Sequence, residues 1–159
     1  MIAKKSQIGQ VFVYLISTFV VILVLYFGYM AIKGIGKNQQ QLSLVKFQKS
    51  LEDTIVYTSS DYGTVRIETF NVPVQFQKIC FVDKSLIASG NTTLIDQAQY
   101  PLVYNSVADQ VNSNVFPLPD GAPFYIDKLW VPEGFKCFDA AQGNIKIRIE
   151  GFGDRSGIS

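Results

Sequence analysis

Between Lys5 and Lys33 the chain carries 27 residues without a charged side chain, and no other feature limits the available folds so strongly. From Val11 to Ile32 this run is interrupted only by Ser17, Thr18, Gly28 and Ala31 as small or weakly polar members. At about 1.5 Å per helical residue those positions reach roughly 33 Å, which matches a hydrocarbon core of about 30 Å. A cleavable secretory signal has an apolar core of only about 7–15 residues followed by a small-residue cleavage site, and the KGIGKNQQQ after Ile32 offers no such site. A buried helix of a soluble protein is disfavoured too, because the run is apolar on all faces and the rest of the chain is too small to surround it. The expectation is a helix whose partner is the lipid bilayer, the packing surface of an assembly, or both in turn.

Charge divides the chain at the same place. Residues 1–50 hold six of the 14 basic side chains and no acid, so residues 51–159 hold eight basic and 13 acidic groups, a balance of −5. A basic, apolar first third and an acidic remainder suit a membrane-proximal end and a solvated domain. The basic residues of the C-terminal part are scattered singly, which gives no nucleic-acid surface. Histidine is absent, and with it the usual general base and commonest metal ligand. Two cysteines are too few for a structural zinc site without histidine. No enzyme, metal or cofactor is expected.

Beyond the run, Gly34-Ile35-Gly36 is a point for a bend or a melted turn, each glycine costing a helix about 1 kcal/mol against alanine. Helical spacing then returns from Asn38 to about Ser59 in Leu44, Phe47, Leu51 and Ile55. Glu52 and Asp53 sit near that helix's C-terminal end, where the dipole disfavours negative charge, so an early stop is expected. Val65 and Ile67 alternate with polar neighbours as in a half-buried strand, and Ile79-Cys80-Phe81-Val82 reads as a central strand pairing with it. Pro101 opens a helix over about 101–112. NVFPLP and APFYIDKLWV read as strands around Asp120-Gly121. FKCFDA and NIKIRIEGFG are expected to face each other across residues 141–143, with Ile145, Ile147 and Ile149 alternating against Lys146, Arg148 and Glu150.

Cys80 and Cys137 fall in two of these strands. A disulfide between them would stabilise by about 4 kcal/mol in the chain-entropy account; two buried free thiols or a redox pair are the alternatives. Asn91-Thr92-Thr93 is a glycosylation sequon in a loop, with Asn91 the candidate acceptor. Phe124, Tyr125 and Trp130 are the clustered aromatics from which a binding patch could be built, and their alternation divides them between core and surface.

The N-terminus supplies a resemblance. Lys4-Lys5-Ser6-Gln7-Ile8-Gly9-Gln10, followed at once by the apolar run, resembles the class III signal peptide of archaeal type IV pilins and pilin-like proteins. The resemblance implies removal of a basic leader by a prepilin peptidase between Ser6 and Gln7, leaving the apolar helix as the N-terminus of a mature subunit. Ser6 stands where that family usually has glycine or alanine. The reading is thus an α+β protein: a candidate leader over 1–6, a transmembrane and assembly helix over 7–33, and an amphipathic helical stalk over 34–60. A mainly antiparallel β head with one inserted helix follows over 61–159. The expected role is structural, a pilin-like or pseudopilin-like subunit that self-assembles or joins related subunits, with its N-terminus cytoplasmic and its head outside the cell. The alternative is an uncleaved single-pass protein presenting a small extracellular β domain as a complex subunit or binding module.

Overall fold

A computed structural model describes the backbone of residues 4–140 and 142–159, and the side chains of these except 4–10 and 32–41. The chain divides into two compact units, Met1–Leu42 and Ser43–Ser159. Helix α1 covers Lys4–Ser59. It is followed by β1 (Val65–Asn71), β2 (Lys78–Val82), α2 (Lys84–Ser89), α3 (Pro101–Ala108), β3 (Val115–Leu118), β4 (Leu129–Trp130), β5 (Phe135–Asp139), β6 (Asn144–Gly151) and β7 (Ser156–Ile158). Helices and strands both build the molecule, so the class is α+β.

Helical structure continues through Gly34–Gly36, so the melted turn expected there is not formed; lengthening a helix adds a hydrogen bond per residue, whereas nucleation after a break is costly. Nor does α1 stop early at Glu52 and Asp53. Asp53 pairs with Lys49 at 3.3 Å, and Ile55, one turn from the end, is fully buried. The last turn is also held from outside the helix: Ser156 Oγ donates to the Ile55 carbonyl at 2.7 Å across 101 residues of sequence.

In the Ser43–Ser159 unit, the described strands form two sheets, in the orders β1-β6-β7-β4 and β3-β2-β5. All pairings are antiparallel except β4 with β7. This corrects two expected pairings. β1 pairs with β6, not β2, and β5 pairs with β2, not β6. Residues flanking 141 therefore cross from one sheet to the other instead of closing a hairpin. The cause is burial: β2 is apolar on both faces and needs neighbours covered on both sides, whereas the strict alternation of β6 suits a sheet with one solvated face.

The core lies in two layers. Phe47, Leu51 and Ile55 of α1 meet Phe70 of β1, Ile145, Ile147 and Ile149 of β6, and Ile79 and Phe81 of β2. On the other side of β2, Cys80 and Val82 pack with Phe116, Ile87, Val103 and Val107, so α2 and α3 form a second cover. The helix expected from Pro101 is thus present as α3, and α2 is a second one that was not expected. α2 escapes a reading based on periodicity because it has six residues; Asp83 caps it by accepting from Ser85 N–H at 2.9 Å, and left-handed Gly90 (φ 63°) closes it. α3 ends at Ala108 and not near 112 because Gln110 turns left-handed (φ 54°). The Val111 N–H then reaches back to the Ser106 carbonyl and the Gln110 N–H to that of Val107, a closure normally made by glycine.

APFYIDKLWV yields only the two-residue β4. Phe124 makes an isolated bridge with Val115, and the buried Asn114 amide brackets Ile126, donating to its carbonyl and accepting from its N–H, both at 2.7 Å. A side chain thus takes the place of a strand neighbour. β1 also departs from expectation: Val65 and Ile67 are exposed, whereas Arg66, Glu68 and buried Phe70 point to the inner face. Phe70 decides the register, since its ring meets Phe47 edge-on at 6.3 Å.

Cys80 and Cys137 are directly opposite in the β2–β5 register and form a disulfide with Cα atoms 4.0 Å apart, the close spacing of a non-hydrogen-bonded pair. Replacing Cys137 by serine should lower the urea-derived stability by about 2–5 kcal/mol. Gly151 tests the junction of α1 with β6, because a Cβ there would collide with the carbonyl oxygens of Thr58 and Asp61. Gly151→Ala should therefore cost about 3 kcal/mol or more, while Gly153→Ala, which meets nothing closer than 4.0 Å, should cost only the strain of its left-handed backbone.

Candidate functional site

The apolar run becomes a surface. Over Val11–Ala31, 21 residues of α1 form a helix long and apolar enough to cross a membrane, and every one of them is exposed. Its serine and threonine hydroxyls are answered locally: Ser17 Oγ and Thr18 Oγ1 donate to the Tyr14 carbonyl at 3.0 and 2.8 Å. That matters in hydrocarbon, where an unpaired donor costs several kcal/mol. Tyr14 lies toward one end of the span, with Tyr26 and Tyr29 toward the other, the positions where aromatic side chains with a polar tip favour the membrane interfaces. The candidate processing residues Lys4, Lys5, Ser6 and Gln7 fall outside the described side chains.

The clustered aromatics of the head separate as their alternation predicts. Phe124 enters the core against Phe47, with ring centroids 6.1 Å apart, while Tyr125 and Trp130 are half-buried and line one groove of about 440 Å³. Trp130 is already engaged: Phe152 meets it edge-on at 5.0 Å and the Arg155 guanidinium lies 4.7 Å from its ring centre. The groove balances Lys84, Lys128 and Arg155 against Asp83, Asp127 and Asp154. Asp83 is committed to capping α2 and to the Val131 N–H, and Asp154 pairs with Arg155 at 3.8 Å. With little free aromatic face and no net charge, it favours no ligand class.

A second groove, of about 430 Å³, lies between Lys78, Tyr100, Pro101, Leu118 and Pro119. The Lys78 ammonium is held above its ordinary pKa chiefly by its hydrogen bond to Asp139, with Tyr100 acting in the same sense. It is thus a paired cation at neutral pH. Among the described residues, no three metal-ligating side chains come together. Asn91 is exposed after Gly90, its Oδ1 accepting from Thr93 N–H at 3.0 Å and Thr93 Oγ1 at 2.8 Å, so the two ends of the sequon are hydrogen-bonded to each other.

Comparison with protein-family models, curated proteins and solved structures finds no match to this chain. Among the described residues, the exposed apolar span Val11–Ala31 is the feature with the clearest physical consequence. Val21→Lys, at the middle of that span, should weaken membrane insertion by about 2.5–3.5 kcal/mol, read as the share of chain recovered in the carbonate-soluble fraction. A chain lacking residues 1–42 should be soluble and keep the disulfide.

Proposed function

We propose that the chain is a structural, membrane-anchored subunit, pilin-like or pseudopilin-like, that assembles through its apolar N-terminal helix into a type IV filament or a related machine. One observation carries the proposal: a single helix, α1, holds a fully exposed apolar span over Val11–Ala31 and then supplies the core of the head through Phe47, Leu51 and Ile55. The same element thus serves membrane or assembly at one end and folding of the head at the other. A monomer in water cannot keep so large an apolar surface exposed, so the span needs lipid or other subunits.

The disulfide supports an oxidising location for the head, and with it a cytoplasmic N-terminus. In this reading Lys4 and Lys5 hold the helix end at the cytoplasmic face, since a lysine at the bilayer centre costs about 2.5–3.5 kcal/mol. Removing the leader removes both charges and frees the helix to exchange lipid for neighbouring subunits.

Co-expression with an archaeal prepilin peptidase should yield a product beginning at Gln7, measured by mass spectrometry of the intact chain, and replacing Lys5 and Ser6 together should abolish it. A cellular protein that keeps residues 1–6 and stays in the membrane fraction would sink the filament reading and leave the uncleaved single-pass anchor in its place.

A further inference from the structure

β1 is an edge strand: it is bonded to β6 on one side and no described strand lies on the other. Which backbone groups face outward follows from the bonds at its two ends. Gly151 N–H donates to the Thr64 carbonyl and Val72 N–H to the Gly143 carbonyl, so the even-numbered residues turn their backbone groups toward β6. Those of Val65, Ile67 and Thr69 point to the open side. The side chains of these three residues are exposed as well.

The inner face of the strand is unusual. Arg66 and Glu68 stand two residues apart with no ion-pair partner among the described residues. Arg66 rests over the Tyr57 ring at 4.8 Å, and its Nε is buried without a hydrogen-bond partner, an arrangement native proteins seldom leave unanswered. Inward-facing charges ordinarily protect an edge, because an added strand would have to bury them. Here they have opposite signs, and a symmetric neighbour would pair both.

We infer that β1 is the contact edge of a dimer, adding antiparallel to β1 of a second copy about a two-fold axis through Ile67. The register follows from two requirements. Outward-facing groups must meet outward-facing groups, so odd residues must lie opposite odd ones. Among the registers that allow this, centring on Arg66 places arginine against arginine, and centring on Glu68 places glutamate against glutamate; like charges directly opposite are destabilising. Centring on Ile67 sets Arg66 opposite Glu68 of the second copy, twice, at the non-hydrogen-bonded positions where side chains come closest. It also sets Val65 opposite Thr69 and Ile67 opposite itself on the outer face. Such an axis runs normal to the sheet, so the Ser43–Ser59 segments of the two copies run in opposite directions. The contact belongs to the heads, and it is independent of the pilin-like reading.

The test uses the full chain in lipid nanodiscs holding one copy each, which removes contacts between apolar spans, with mass read by light scattering against concentration. Parent discs should pair. Arg66→Glu and Glu68→Arg each place like charges opposite one another at both symmetric positions and should weaken pairing by about tenfold or more. An equimolar mixture of the two variants restores opposite charges at every position, so it should pair as the parent does; this rescue also shows that both variants are folded. Parent discs that stay single at every concentration, variants that pair like the parent, or a mixture that stays single would each overturn the inference.

Discussion

The head depends on the seating of one helical stripe against one strand. Phe47, Leu51 and Ile55 recur along α1 so that they lie on a single face, and Ile145, Ile147 and Ile149 recur along β6 so that they lie on the face that receives it. Burying such side chains contributes about 1.5–3 kcal/mol each, but their larger effect is to set the positions of everything else. Phe47 meets both Phe70 on β1 and Phe124 in the segment before β4. Its ring therefore fixes the register of an edge strand and the path of a loop together. The helix end is held by β7 through Ser156 and pressed against Gly151 of β6, which leaves no room for the helix to slide along the sheet.

What could be read from the residues was what repeats. The apolar run, the stripe of α1, the two-faced apolarity of β2 and the alternation of β6 are periodic signals, and each appears as an element of the expected type. The pairing of strands was not legible, because alternation tells which face of a strand is buried and says nothing of which neighbour buries it. α2 is too short for a period to show, α3 is closed by a left-handed Gln110 that no glycine announced, and the three-residue β7 carries no signal of its own. Of the candidate site, the apolar helix near the N-terminus was legible because an uncharged run of that length is itself the signal, and the span Val11–Ala31 lies within that run. The fate of the aromatics was legible only as a division, with Phe124 inside and Tyr125 and Trp130 partly outside.

At β1 the packing of one ring decides which face of the strand turns inward. Val65 and Ile67 have the composition of a buried face, yet the strand turns them outward, since Phe70 belongs to the other parity and its packing with Phe47 outweighs them. A buried aromatic ring removes about 150–250 Å² from water and adds a specific edge-on contact, and here Phe70 makes both gains while Val65 and Ile67 stay exposed. The consequence is an edge with apolar residues outside and opposite charges inside. Inward charges can guard such an edge against non-specific pairing; what distinguishes this one is that Arg66 and Glu68 are opposite in sign, so a single symmetric register pairs both.

α1 itself must satisfy two surroundings. Between Val11 and Ala31 every face is exposed and apolar, so no stripe is present; from Leu44 onward one face meets the core and the other meets water, so the stripe appears. Polar residues obey the same division. Ser17 and Thr18 return their hydroxyls to the helix backbone, an arrangement that hydrocarbon would require, while Lys49 and Asp53 project into solvent and pair there. A helix so divided cannot be moved into water as a unit. Any assembly that withdraws the span from lipid must replace the lipid on every face along its length, because no face is polar enough to be left bare. Contacts between heads, such as the pairing inferred at β1, bury none of that span, so they leave its need for lipid or for other apolar surface unchanged.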